Sequence, residues 1–181
     1  MLFDLRESGG LAALALTRRH APVNQKELPV KHEAILALPG GDWTIIIEDD
    51  ELISCRHGVS PQGLPAAPGN HPILCALCAY TDDDLPALDE ISVAQPGGEF
   101  HTAVREAMWR IPPGRTVSYS ELAAMAGRPA AARAAAGACA RNRVVVVVPC
   151  HRVIRGDGGL GGYAFGLEVK QALLDFERRY A

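Results

Sequence analysis

Several things are scarce in this chain of 181 residues, and each shortage excludes a class of protein. No apolar stretch approaches the roughly 18–20 residues that span a bilayer, so no membrane segment is expected. The apolar run from Leu11 to Leu16 is short, has no basic segment before it and is followed by Arg18 and Arg19, so no secretory leader is expected. Five cysteines, an odd number spread along the chain, make no disulfide framework and point to reduced thiols in a (bacterial) cytoplasm. A metal set is also incomplete. Cys75-x-x-Cys78 lies on an expected helix without a second pair, and Cys55, His57 and His71 do not complete the four ligands of a structural zinc site. No metal or other cofactor is therefore expected, and these cysteines are expected to pack in the core.

Acidic residues are scarce in one half only. Residues 1–99 hold 6 Lys/Arg against 15 Asp/Glu, whereas residues 100–181 hold 12 against 6, leaving the second half with a balance of +6. With 48% apolar and 22% charged residues, the chain has the profile of a soluble globular protein. The basic half is the one expected to face a polyanion.

Residues 1–30 read as an extension with a short helix at 11–19, residues 31–93 as a small N-terminal domain, and residues 94–181 as a second domain. Thr44 to Ile47 and Leu52-Ile53 are expected strands around the acidic turn Asp49-Asp50. Ser60 to Pro72, with four prolines, is a loop. Pro72 to Tyr80 is an expected helix, and Thr81 to Pro96 an acidic linker with a strand near Ile91. Beyond it, Phe100, Val104, Met108 and Ile111 recur at helical spacing until Pro112-Pro113-Gly114. Ser118 and Glu121 stand at capping-box spacing ahead of a helix over 120–125. Gly127-Arg128-Pro129 breaks it, and the alanine-rich segment 130–140 makes a second helix. Together they form a helix-turn-helix. The small residues of the second helix suit either close internal packing or entry into a narrow minor groove with Arg133 as the one long cation.

The buried β-branched run Val144 to Val148 leads into Pro149-Cys150-His151-Arg152-Val153. The proline places the cysteine at a rigid position. A neighbouring histidine is a means of activating a thiol. Because adjacent side chains seldom face each other, proton transfer between them calls for a bridging water.

The string Pro149-Cys150-His151-Arg152-Val153-Ile154 resembles the active-site motif of the O6-alkylguanine-DNA alkyltransferases. The resemblance runs over residues 97–178. Upstream it takes in Phe100 to Trp109, Ser118-Tyr119 and Ala132-Arg133-Ala134. Downstream it takes in Gly156, Gly158, Gly162-Tyr163, Gly166-Leu167, Lys170 and Leu173-Leu174 to Glu177. It implies an α+β fold: a small N-terminal ribonuclease H-like domain, then a mostly helical, winged-helix-like C-terminal domain with the helix-turn-helix. It further implies single-turnover transfer of an alkyl group from O6-alkylguanine in duplex DNA to Cys150, with O4-alkylthymine a second candidate substrate. The protein is expected to act as a monomer and to bind DNA mainly through the minor groove.

By the same resemblance His151 is the base acting through water, Glu177 orients His151, Asn142 holds the turn before the active site, and Tyr119 assists the departing guanine. Arg133 fills the stack after the damaged base rotates out, at a cost of a few kcal/mol. Arg152, Val153, Tyr163, Ala164 and Phe165 are expected to contact DNA or the base. Three departures stand out: Arg143 where the family usually has proline, Arg141 where many members have a small residue, and Phe165 where some have glycine. Phe165 is expected to narrow the pocket. The competing readings are a non-catalytic lesion-binding protein, whose members lack the cysteine, and an unrelated thiol hydrolase. The four-cysteine domain of the fused regulatory members has no counterpart here, so no transcriptional role is expected.

Overall fold

The computed structural model describes residues 29–180, so the helix expected at 11–19 lies outside the described residues. The first half is a three-stranded antiparallel meander, β1 (Lys31–Leu38), β2 (Gly41–Glu48) and β3 (Glu51–His57), followed by helix α1 (Pro72–Thr81). Asp49 and Asp50 both take left-handed backbone angles, φ 48° and 65°, as a two-residue hairpin turn requires. Alternation along β2 sends Trp43, Ile45 and Ile47 into the core. The expected strands are thus found within β2 and β3, while β1 is an addition. Its inward residues, Leu36 and Leu38, alternate in the same way.

The strand expected near Ile91 does not form. A 3₁₀ turn over Leu85–Glu90 comes first, and the chain then makes a single parallel bridge from Val93 to Leu52. Two backbone bonds, Leu52 N–H to Ser92 O (2.8 Å) and Ala94 N–H to Leu52 O (3.2 Å), tie this linker to β3.

The second half carries α2 (Glu99–Trp109), the short strand β4 (Val117–Ser118), α3 (Tyr119–Met125) and α4 (Ala132–Ala140). Strand β5 (Val153–Ile154) pairs with β4 in parallel, and α5 (Leu167–Arg178) closes the chain. The capping box is complete, with Glu121 N–H donating to Ser118 Oγ (3.2 Å) and Ser118 N–H to Glu121 Oε2 (2.6 Å). It fixes the start of α3 at Tyr119. Helix α4 divides its small residues between two tasks: Ala135 and Ala138 are buried, and Arg133 and Ala134 are exposed.

Both halves share one hydrophobic core, running from Leu38 and Trp43 through Met108 and Val144–Val148 to Leu173. A backbone seam joins them. Cys55 N–H donates to Arg143 O (2.8 Å) and Val145 N–H to Cys55 O (3.1 Å), so β3 pairs directly with the segment that leads to Cys150.

Candidate active site

Five valines in a row favour extended backbone, yet here they form a buried turn. All five are at most 3% exposed, Val148 N–H bonds back to Val144 O (2.9 Å), and Val146 sits at φ 75°. A β-branched residue there is strained by about 1–3 kcal/mol and persists only where its surroundings over-determine it. Those surroundings are identifiable. Asn142 donates from Nδ2 to Val148 O (2.8 Å) and accepts at Oδ1 from Val144 N–H (3.1 Å) and Gln95 Nε2 (3.0 Å). Trp109 Nε1 donates to Val147 O (2.9 Å). Pro149 then takes φ −82° and ψ 63°, and Cys150 N–H reaches Val148 O at 2.8 Å. This is an inverse γ-turn centred on the proline, and it delivers Cys150 into a single 3₁₀ turn, Cys150–Arg152.

His151 is wholly buried, and its Nε2 lies 2.9 Å from Glu177 Oε1. Burial alone pushes the Glu177 carboxyl up. The hydrogen bonds and charges of His151 and Arg152 outweigh it and bring the carboxyl down to about 2. Glu177 is therefore an acceptor only, and Nε2 must carry the hydrogen of a neutral imidazole. Burial lowers the His151 pKa, against the opposing pull of Glu177, so the ring is neutral near pH 7. Nδ1 is left with its lone pair, buried and without a protein partner among the described residues. It is the free basic atom of the site.

The Cys150 side chain is buried, which pushes its thiol up, while Asn142, Lys170 and Tyr163 pull the other way without reversing the shift. The resting sulfur is a thiol, not the thiolate that an adjacent histidine suggests. The Tyr163 hydroxyl is buried beside it and has no hydrogen-bond partner among the described residues. It is placed to donate once negative charge develops there. Lys170, a residue to which sequence reasoning gave no role, is fully buried on α5. Its Nζ donates to Val153 O (2.6 Å) and to Leu160 O, pinning both ends of the loop that closes the site.

Cys150 opens on a cavity of about 730 Å³, walled by α4 (Ala136, Cys139, Ala140), Tyr119 and the loop 159–165. Tyr119 is the first residue of α3. Its hydroxyl touches Gly161, where an added Cβ would meet it at 3.3 Å. Burial keeps its pKa raised, so it enters any reaction as a proton-bearing donor. Tyr163, Ala164 and Phe165 also line this cavity. Phe165 packs edge-on against Trp43 of β2 (centroids 5.9 Å apart) and against Tyr163 (6.0 Å), so the N-terminal half holds one wall of the pocket. Arg133 is exposed on α4 and makes no ion pair among the described residues.

Two expected DNA contacts are turned inward. The Arg152 guanidinium is buried and forms a fork on Glu177, Nε to Oε2 and Nη2 to Oε1, each 2.8 Å, with Nη1 donating to Ile111 O. Each guanidinium nitrogen has a partner inside the protein, as a buried cation requires. The Val153 side chain is fully buried, and its carbonyl receives Lys170. The cysteine expectation divides. Cys55 is a core residue and Cys139 packs its sulfur 3.8 Å from that of Met108, but Cys75 and Cys78 are exposed on α1. No group of three or more His, Cys, Asp or Glu that could hold a metal is found among the described residues. Tyr80 is a further site residue that sequence reasoning missed; its hydroxyl donates to Glu177 Oε1 at 3.3 Å from α1.

A thiol opening on a cavity beside the α3–α4 helix pair, backed by a buried imidazole with one free nitrogen and a carboxylate that orients it, is the arrangement of a nucleophilic-cysteine site. Residues 99–179 match the family model described as 6-O-methylguanine DNA methyltransferase, DNA binding domain. The chain is 46% identical over 105 residues to the methylated-DNA–protein-cysteine methyltransferase of Mycolicibacterium paratuberculosis, covering 58% of this chain and 63% of that one. It is 50% identical over 78 residues to the bifunctional transcriptional activator/DNA repair enzyme Ada of Escherichia coli, covering 43% of this chain and 22% of Ada. These alignments thus span less than two thirds of either curated relative. The crystal structure of Mycobacterium tuberculosis OGT in complex with DNA superposes with a TM-score of 0.68 at 31% identity, over 83% of this chain and 94% of that one. The chain belongs to the O6-alkylguanine-DNA alkyltransferase family.

The inward turn of Arg152 has a measurable consequence. Arg152→Ala leaves a buried carboxylate half-compensated and should cost about 3–5 kcal/mol in urea unfolding. The exposed Arg133→Ala should change stability by less than about 0.5 kcal/mol. Near-native stability of Arg152→Ala, with weakened DNA binding, would return Arg152 to the DNA surface.

Proposed function

We propose that this protein reverses alkylation damage directly, moving the alkyl group of O6-alkylguanine in duplex DNA to Cys150 Sγ, once per molecule. The observation that carries this reading is the free lone pair of His151 Nδ1, fixed by Glu177 on Nε2, on the residue that follows the buried thiol lining a cavity. Nδ1 takes the thiol proton through a bridging water, and the sulfur attacks the O6-bound carbon. The C–S bond forms as the C–O bond breaks, and the electron pair leaves with guanine. Guanine is a poor leaving group unless its developing charge is stabilised, which is the part given to Tyr119. The product thioether has no comparable leaving group, so there is no turnover. Nucleophile, base and leaving-group donor are all side chains, and the transfer calls for no cofactor.

DNA is bound as a monomer, mainly through the minor groove, by the α3–α4 pair. Arg133 enters the stack vacated by the extruded base, and Tyr163, Ala164 and Phe165 contact that base. The C-terminal half is read as a winged-helix-like domain and the meander with α1 as a small ribonuclease H-like domain, divided near residues 93–94. No described helix is long and apolar enough to cross a membrane, in keeping with repair in the cytoplasm.

Incubation with a duplex containing O6-methylguanine, followed by intact and peptide mass spectrometry, should show one methyl group on the Cys150 peptide and none in Cys150→Ser. Repeated turnover would mark a hydrolase, and tight binding without an adduct a lesion-recognition protein. Phe165 walls the cavity and is braced by Trp43, so Phe165→Gly should raise the rate on O6-benzylguanine relative to O6-methylguanine. Equal relative rates in the two proteins would remove Phe165 as a size gate.

A further inference from the structure

Next to the Cys150 cavity lies a second one of about 530 Å³, which shares Ala140, Asn142, Ala164 and Phe165 with it. Arg56, His101, Arg141 and Arg143 line this second cavity, and no carboxylate does. They come from three parts of the chain, which the fold brings together. Arg56 follows Cys55, whose N–H donates to Arg143 O, so the seam between the halves sets Arg56 beside Arg143. The Arg143 backbone is held from its other side by Gln95, whose Oε1 accepts the Arg143 N–H at 2.9 Å.

Arg141 is folded back over the end of α4. Its Nη1 donates to Gly137 O (3.1 Å) and to His101 Nε2 (3.3 Å), so the imidazole stands as an acceptor there. Gly137 makes room for this, since a Cβ at that position would meet Nη1 at 3.2 Å. All three arginines are exposed, and none has an ion-pair partner among the described residues. Three positive charges around one cavity repel one another unless an anion enters. The guanidinium fork suits the oxygens of a phosphate.

We propose that this cavity seats a backbone phosphodiester of the DNA strand beside the nucleotide whose base occupies the Cys150 cavity. The inference rests on the alkyltransferase reading and extends it. The N-terminal half, through Arg56, becomes part of the DNA surface, and Arg141 and Arg143, the two departures beside Asn142, acquire a common task. Because a phosphate carries no sequence information, the contact sets register and affinity.

The test is the affinity of the full chain for an O6-methylguanine duplex, measured by fluorescence anisotropy across a salt series. The variants are Arg56→Ala/Arg143→Ala and the charge-keeping Arg56→Lys/Arg143→Lys. The alanine pair should weaken binding about tenfold and reduce the slope of log affinity against log salt by about one, the share of one phosphate. The lysine pair should keep the wild-type slope. A single neutral methylphosphonate placed in turn at each phosphate flanking the lesion should, at one position, abolish the difference between wild type and the alanine pair. Wild-type affinity and slope in the alanine pair, or no such position, would overturn the site. A wild-type protein that binds in this arginine-dependent way yet takes no methyl on Cys150 would instead overturn the alkyltransferase reading and leave the phosphate seat standing.

Discussion

The negative charge of Glu177 is the constraint around which the site is built. A carboxylate with no solvent exposure is tolerable only when its oxygens are fully engaged. Glu177 meets this with a two-bond fork from Arg152, one bond from His151 and one from Tyr80. Each partner is thereby placed. Arg152 is drawn inward and anchors α5 against the end of α2 through Ile111. His151 is left with a single tautomer, its basic nitrogen on the side away from the carboxylate. Because Cys150 and His151 are consecutive, fixing the imidazole also fixes the short turn that carries the thiol. The buried thiol and the neutral imidazole are thus both uncharged at rest.

The N-terminal half contributes more than a cover. Tyr80 reaches the Glu177 carboxylate, Cys55 splints the turn before the nucleophile, Gln95 clamps both Asn142 and the Arg143 backbone, and Trp43 braces Phe165 in the pocket wall. The contacts of Cys55 and Gln95 also support the turn that holds the strained Val146. The acidic half and the basic half are thus joined at the segment that leads to Cys150, and also by the contacts of Arg179 and Tyr180 with Asp83.

The sequence-level reading succeeded where a local rule acts alone. The capping box at Ser118 and Glu121, the period of Phe100, Val104 and Met108, and the Asp49-Asp50 hairpin each carry their own signal. The Cys-His string marked the segment that opens on the cavity. It failed where tertiary contacts decide. Valines 144–148 carry a strand-forming composition but are forced into a turn by Asn142 and Trp109, partners that local pattern does not announce. In α5, Lys170 and Glu177 occupy buried positions and blur an otherwise amphipathic stripe. An arginine beside a catalytic cysteine in a basic half suggests DNA, and only the position of Glu177, 25 residues further on, shows that Arg152 is internal. β1 shows its alternation at Leu36 and Leu38, whereas Tyr80 and Gln95 leave no trace in spacing or composition.

The tautomer of His151 is the most direct check on this arrangement. In the ¹⁵N-edited spectrum of imidazole-labelled protein near pH 7, Nε2 should resonate as a protonated nitrogen and Nδ1 as an unprotonated one. An imidazolium, or a ring carrying its hydrogen on Nδ1, would mean that Glu177 does not direct the base toward the sulfur.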